Sequence, residues 1–458
     1  MGNSLSLIGF FILALIAFIF PSNASHDPEV VLASNNLESP VRIPLKLTND
    51  LSNIYELRTV DSVFSQFIRR WNIAGASVAI SKDGRLIYAK GFGKADKEED
   101  IDVQPEHLFR VASVSKLITA VGIMKLIEDG EFGLDSKVFG PKGILNDTIY
   151  SNIADRRIYD ITVRHLLKHQ GGWSASMGDP MFETLDIALK MNVPPPADPV
   201  TVTKYVLSKK LHFKPGTKSS YSNLGYNILG QIIEVVSGST YEDFINQAVL
   251  YPLGIDNMTI GKNMIIDRAM NEVAYYDHGK ALARLSVYGT GDFVPRTYDG
   301  SNIEGLGAAG GWIATPAQLL KIVMAIDGMN SKADILCPET IEWMTTNVEQ
   351  GGSPFGWRGV DDKGNWWRTG TLAGTSALVM RQPDGINFAV VLNSSTYTGS
   401  RFTTEINKAM KKALSNIEEW PKHDLLKFYE PTVVLPIPPK DWPVIKNNNP
   451  TLKTISFK

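Results

Sequence analysis

Ser113-Val114-Ser115-Lys116 places a hydroxyl and an amine three residues apart, the only S-x-x-K in the chain. Just beyond them Leu117, Val121, Met124 and Ile127 recur at helical spacing, which predicts a helix that opens at this motif. Residues i and i+3 share a helix face, so the Lys116 amine can approach the Ser113 hydroxyl. A serine is a poor nucleophile until a base removes its proton. A lysine becomes that base once burial or a neighbouring cation lowers its pKa towards neutrality. The helix N-terminus favours both roles: its positive end disfavours a protonated lysine, and its free N–H groups point at an oxyanion forming on a substrate carbonyl. The chemistry is nucleophilic attack on a carbonyl. The spacing alone also fits an N-cap serine with a surface lysine.

Other motifs carry less chemistry. Gly305-Leu306-Gly307-Ala308-Ala309-Gly310 satisfies G-x-G-x-x-G, but polar Asp299-Gly300-Ser301-Asn302 stands where a dinucleotide site needs a strand. His165 and His169 are four apart, as metal ligands on a helix would be, yet no third ligand accompanies them, and no metal site is expected. The chain has no G-x-S-x-G elbow, Walker A loop or H-E-x-x-H. Trp366 and Trp367 are candidates for the wall of an acyl pocket or for core.

Two further stretches accompany Ser113 and Lys116: Tyr221-Ser222-Asn223, leading into the helical spacing of Ile228 and Ile232, and Arg368-Thr369-Gly370, just before a strand pair. In order and spacing the set resembles the three boxes S-x-x-K, Y-x-N and K-T-G of the serine β-lactamases and penicillin-binding proteins. Ile161-Thr162-Val163-Arg164-His165-Leu166-Leu167, Pro252-Leu253-Gly254-Ile255 and Gly310-Gly311-Trp312 are similar to the class C β-lactamase, esterase and D-aminopeptidase branch, and the resemblance covers residues 55–415. It implies an acyl-enzyme on Ser113, with hydrolysis of an ester, amide or peptide or transfer to another acceptor, and no cofactor. Tyr221 would relay a proton to the leaving group, and Asn223 would hold Lys116 and a substrate carbonyl. The backbone N–H of Thr371 would join that of Ser113 in an oxyanion hole, with Gly370 admitting the substrate and Thr369 beside it. Arg368 departs from the pattern, which has Lys or His there. An arginine stays charged at working pH, so it would depress the Lys116 pKa and could meet a substrate carboxylate. The alternative reading is a non-catalytic relative that keeps the fold for binding or assembly.

These groups need a frame. Val60, Phe64, Phe67, Ile68 and Trp71 predict an amphipathic helix. Apolar runs at 76–80 and 86–89 flank Asp83-Gly84, and runs at 377–381 and 387–392 flank Pro383-Asp384-Gly385; both read as hairpins. Residues 401–414 read as a closing helix, and residues 115–345 are mostly of helical spacing. The expected fold is α/β: a mainly antiparallel sheet built from both chain ends with flanking helices and an inserted, largely helical region, as in the β-lactamase/transpeptidase-like fold.

The 458 residues carry 46 Lys+Arg against 48 Asp+Glu, a formal charge of −2, which offers nothing to nucleic acid. The partner expected is a small molecule or peptide. One cysteine, Cys337, excludes an internal disulfide. The apolar run at 5–20, followed by Pro21-Ser22-Asn23-Ala24, reads as a signal peptide over residues 1–24 and predicts secretion. Uncleaved, it would be a membrane anchor; Gly2 and Ser6 also fit an N-myristoylation pattern. Residues 25–54 read as a polar lead-in and 416–458 as a proline-containing tail. Sequons at Asn23, Asn146, Asn257 and Asn393 permit glycosylation.

Overall fold

The computed structural model describes residues 46–346, 353–415 and 417–427. The signal segment, Asn23 and most of the tail lie outside the described residues. Strands run Gly75–Lys82 (β1), Arg85–Asp96 (β2), Ile101–Asp102 (β3), Phe109–Arg110 (β4), Thr259–Ile260 (β5), Arg284–Leu285 (β6), Phe293–Val294 (β7), Trp312–Ala314 (β8), Gly359–Val360 (β9), Trp366–Leu372 (β10), Thr375–Arg381 (β11) and Ile386–Leu392 (β12). The helices are Arg58–Trp71 (α1), Ser115–Glu128 (α2), Val163–Leu167 (α3), Thr184–Met191 (α4), Pro199–Leu207 (α5), Asn223–Ser237 (α6), Tyr241–Ile245 (α7), Ile303–Gly310 (α8), Pro316–Met324 (α9), Pro338–Thr346 (α10) and Phe402–Leu414 (α11).

The main sheet has the order β3-β2-β1-β12-β11-β10-β9. Its neighbours are antiparallel, and β1 pairs with β12 in register from Ala76↔Leu392 to Lys82↔Ile386. The two chain ends therefore meet at its centre, as the two hairpins predict. Asp83 and Gly84 both have positive φ, 50° and 73°, the geometry that a tight right-twisted hairpin demands.

Alternation along the central strands separates two packing faces. Val78, Ile80, Leu378, Met380, Phe388 and Val390 meet Val60, Phe64 and Phe67 of α1 and Ile406 and Met410 of α11. The other face presents small residues, Ala79, Ala89, Ala377 and Ala389, towards α9, which packs on β1, β2, β11 and β12. Small side chains let that helix approach the sheet closely, and α2, buried almost all round, packs among α6, α7 and α8. The stretch between α2 and α10 carries helices α3 to α9 joined by long irregular segments, with one addition to the expectation: β5 to β8 lie within it, β6 pairing with β7 and β5 with β8, whose other neighbour β4 precedes α2.

The lead-in is shorter than its composition suggests. Asn49–Ser52 forms a 3₁₀ turn along the outer edge of β2. The Ser52 hydroxyl donates to Ala89 O (2.8 Å) and accepts from Ala89 N (2.9 Å), and Asn49 Oδ1 accepts from Gly91 N at 2.7 Å. From the far end of the chain, Asp424 Oδ1 accepts from Leu86 N at 3.1 Å. Side chains thus satisfy backbone groups where a further strand would otherwise pair, which protects an edge. Segments read as lead-in and tail are, at these residues, part of the fold.

Asn146 and Asn257 are exposed, but Asn393 is buried, with Nδ2 donating to Lys94 O at 3.0 Å. A glycan on Asn393 is incompatible with the folded chain. Among the described residues no helix is long and apolar enough to cross a membrane.

Candidate active site

The S-x-x-K motif begins not inside a helix but in a 3₁₀ turn, Ala112–Val114, that runs into α2. Ala112 has φ +48°, a left-handed conformation that costs a non-glycine residue about 1 kcal/mol or more and must be held by its surroundings. The Ser115 hydroxyl donates to Ala112 O at 2.7 Å and accepts from Trp312 N at 3.2 Å, while Val111 N donates to Trp312 O at 3.0 Å. Strand β10 presses on the turn from the other side. A Cβ at Gly370 would lie 2.1 Å from Val111 O and 3.1 Å from Ser113 N, so only glycine fits. The sheet and the helical region meet at this point, and Ser113 stands between them.

Lys116 is fully buried. Its Nζ lies 3.4 Å from Ser113 Oγ and donates to Asn223 Oδ1 (2.6 Å) and Ala309 O (2.5 Å). Burial lowers its pKa to about 8, helped by the Arg368 cation and opposed by Tyr221 and Asp179. The Tyr221 hydroxyl is 2.6 Å from Ser113 Oγ. Burial alone would raise the phenol, but the Lys116 and Arg368 cations outweigh it and bring Tyr221 down to about 8. The Ser113 hydroxyl, the Lys116 amine and the Tyr221 phenol are therefore brought together.

The Tyr-x-Asn box is placed by a helix start. Ser222 is the N-cap of α6, accepting from Gly225 N at 3.1 Å, so Asn223 opens the helix and Tyr221 stands just outside it. His169 grips the loop from both sides: its carbonyl accepts from Ser220 N (2.8 Å) and its Nδ1 from Ser222 N (3.3 Å). Its ring centroid is 4.6 Å from that of Tyr221. Burial, then the cations Arg368, Lys116 and Arg358, push its pKa well down, so it is neutral and able to accept. His165 caps α3, with Nδ1 accepting from Thr162 N at 3.2 Å. The two histidines have separate local duties, and among the described residues no group of three His, Cys, Asp or Glu side chains that could hold a metal ion occurs.

Arg368 is 1% exposed. Its guanidinium donates to Ser113 O at 2.6 Å, to Tyr221 Oη at 3.1 Å and to Trp357 O at 3.4 Å. The expectation that it depresses the Lys116 pKa agrees with this placement. The expectation that it meets a substrate carboxylate does not, because its N–H groups face the protein and it is absent from the wall of the Ser113 cavity. Thr369 also needs correction. Side chains alternate along β10, so Thr369 faces a separate cavity of about 450 Å³ beside α11, and Trp367 goes with it. Trp366 packs against Trp357 and under the Arg381 guanidinium. Neither tryptophan lines the Ser113 cavity.

That cavity, about 270 Å³, is walled by Ser113, Tyr221, Asn223 and Thr371 together with Asp179, Ala175, Phe182, Leu306, Ala309, Gly310 and Leu372. Asp179 Oδ2 accepts from Asn223 N at 2.9 Å and Oδ1 from Met181 N at 3.1 Å. Sequence reasoning missed Asp179 because it sits in an irregular loop, and missed the Ala309 carbonyl because a backbone group has no residue signature. The glycine run at 305–310 is helix α8, bent at Gly307, and it delivers that carbonyl to Lys116.

The Beta-lactamase family model matches residues 60–412. Protein flp of Staphylococcus aureus (strain MRSA252) is 27% identical over 219 residues, 48% of this chain and 40% of that protein. Esterase EstB of Burkholderia gladioli is 28% identical over 205 residues, 43% of this chain and 49% of that one. The chain thus spans less than half the length of these curated relatives. Among solved structures, the octameric penicillin-binding protein homologue from Pyrococcus abyssi has a TM-score of 0.58 at 26% identity over 77% of each chain. The D-amino acid amidase from Ochrobactrum anthropi SV3 has a TM-score of 0.62 at 21% identity, covering 79% of this chain and 97% of that one, a likeness of fold. A match of this extent, over a fold and boxes of this order, means that the chain belongs to the β-lactamase family of serine hydrolases.

Proposed function

We propose that the protein hydrolyses an ester or amide through an acyl-enzyme on Ser113. The observation that carries this reading is the contact of Ser113 Oγ with Tyr221 Oη at 2.6 Å and Lys116 Nζ at 3.4 Å, both groups being held near pKa 8. A base matched to neutral pH works best near that value. In the reactive form Lys116 and Tyr221 together carry one proton fewer than at low pH. That form takes the Ser113 proton as Oγ attacks the carbonyl carbon. The oxyanion of the tetrahedral intermediate is met by the backbone N–H groups of Ser113 and Thr371. Tyr221 then gives the proton to the departing alcohol or amine as its bond to the acyl carbon breaks; a water deprotonated by the same pair attacks that carbon, and the pair returns the proton to Ser113 Oγ as the acyl bond to it breaks and the acid leaves. Arg368 holds the Ser113 carbonyl and the Tyr221 oxygen at once, so it fixes the nucleophile turn relative to the base. Esterase EstB and the D-amino acid amidase lend support, since their names denote acyl chemistry.

The test is active-site labelling. Wild type incubated with a fluorophosphonate probe should gain one adduct, located on Ser113 by peptide mass spectrometry, and Ser113→Ala should gain none. Labelling that is absent, or unaffected by Ser113→Ala, overturns the reading.

A further inference from the structure

We propose that the protein carries a calcium site away from Ser113, between the main sheet and the loop that follows α9, with Asp327, Asp334, Asn387 and Ser81 as its oxygen ligands. It stands apart from the acyl-enzyme reading, on residues which that reading does not use. Ser81, Asn387 and Arg381 are direct cross-strand neighbours on β1, β12 and β11, so their side chains leave the sheet on one face. That is the face α9 covers, since Ala79, Ala389 and Val379, two residues along each strand, belong to the core beneath it. Arg381 fastens the loop there. Its Nε and Nη2 donate to Asp327 O at 3.1 and 2.7 Å, and its Nη1 donates to Gly364 O at 3.1 Å. These bonds all go to backbone carbonyls, which leaves the carboxylates to other partners.

Buried polar atoms in a folded protein almost always have hydrogen-bond partners. Here Ser81 Oγ, Asp327 Oδ2, Asp334 Oδ1 and both polar atoms of the Asn387 amide have none. Ser81 and Asn387 are fully buried and Asp327 is 1% exposed. The groups converge: Asn387 and Asp334 both act on the Asp327 carboxylate, and the Asp334 carboxylate accepts from the backbone N–H groups of Asp327 and Gly328. The other Asp327 oxygen accepts from Met329 N at 2.9 Å, which aims the carboxylate. Two carboxylates against one guanidinium leave an excess negative charge in the cluster, and burying it is costly unless a cation offsets it. The donors are carboxylate, amide and hydroxyl oxygens without nitrogen or sulfur, which selects a hard cation. They come from two strands and an irregular loop. Such a set suits calcium, which takes about six to eight oxygens in a flexible shell completed by water, better than magnesium with its strict octahedron.

Trp366 supplies the readout. Its ring lies 4.0 Å from the Arg381 guanidinium and 3.9 Å from the position of a Cβ on Gly328, near enough to sensitise a bound lanthanide. Excited through tryptophan, the full chain stripped with EDTA should bind one terbium ion, and calcium should displace it. Trp366→Phe should lose most of the emission. Millimolar calcium should raise the melting temperature of the stripped protein by about 2 °C or more, and equal magnesium should not. Asp334→Asn should weaken calcium binding by about tenfold or more. Asn387→Leu tests the sign. If the amide is a ligand, this variant loses the calcium response and melts below wild type in calcium; if it is merely unpartnered, an apolar side chain of the same size melts higher with or without calcium. A higher melting temperature for Asn387→Leu in calcium overturns the proposal. So does a calcium response that is unchanged in both variants. A wild type indifferent to calcium, with no sensitised terbium emission, means that water alone fills the cluster and overturns it without recourse to any variant.

Discussion

Replacing Arg368 by Gln removes a fixed cation from beside the base, and the consequence is a shift in pH dependence. The guanidinium nitrogen lies 3.1 Å from Tyr221 Oη. At that distance two unit charges interact by about 1.3 kcal/mol even at the dielectric constant of water, and by more in a buried site. This lower bound corresponds to about one pK unit. The sign follows from the species involved: Arg368 stabilises the Tyr221 phenolate and disfavours protonated Lys116, lowering both pKa values. Without it both rise, and the base form is reached only at higher pH. With a midpoint near 8, roughly a tenth of the pair is in the base form at pH 7; with a midpoint near 9 or above, roughly a hundredth or less. The rate of fluorophosphonate labelling at pH 7 should therefore fall about tenfold or more and recover as the pH rises towards 10. The assay is the labelling rate from pH 6 to 10, which needs no knowledge of the substrate. Arg368→Lys keeps a cation but loses the fork that joins Ser113 O to Tyr221 Oη, so its midpoint should stay near that of wild type while its plateau drops. A midpoint that does not move in Arg368→Gln would refute the electrostatic role, leaving Arg368 as a strut for the Ser113 turn.

Two further substitutions separate the site from its frame. Gly370→Ala places a methyl 2.1 Å from Val111 O, so β10 must withdraw from the Ser113 turn; we expect Ser113 labelling to slow by about a hundredfold and stability to fall by about 1–3 kcal/mol in urea unfolding. Labelling within threefold of wild type would show that the close approach is dispensable. Ser52→Ala orphans Ala89 N and O on the edge of β2, far along the sheet from Ser113. It should cost about 2 kcal/mol in urea unfolding with the labelling rate unchanged, and a stability equal to wild type would mean that water replaces the hydroxyl.

What the sequence made legible divides by the kind of signal. Asp83-Gly84 and Pro383-Asp384-Gly385 announce their hairpins because few residues tolerate those turn conformations, and β1, β2, β11 and β12 follow from them. One sheet drawn from both chain ends is expected from the two hairpins, but the β1–β12 pairing at its centre and the register of that pair are set by contacts between residues some 300 positions apart, and no local pattern encodes them. The cover of β2 was invisible for the same reason. Asn49, Ser52 and Asp424 are ordinary polar residues in stretches without periodicity, and their value comes from the backbone they meet. At the site, residue types were readable and orientations were not. Ser113, Lys116, Tyr221 and Asn223 converge as their boxes imply, whereas Thr369, between two site-facing neighbours, is turned away by the period of the strand.

Arg368 shows how one departure from a family pattern changes what the rest of a site must do. A lysine or histidine in the third box is able to exchange a proton or swing towards a ligand; a guanidinium with bonds to Ser113 O, Tyr221 Oη and Trp357 O does neither. Its charge acts instead on groups that stay in place, Lys116 and Tyr221, lowering both. Two cations then lie behind the nucleophile, one permanent and one titrating near 8, and the nearby anion is Asp179, on the open side of the cavity. Burial is the main reason that the Lys116 pKa is low, and upon that Arg368 lowers it further while Tyr221 and Asp179 raise it, so the permanent cation adjusts a midpoint that burial sets first.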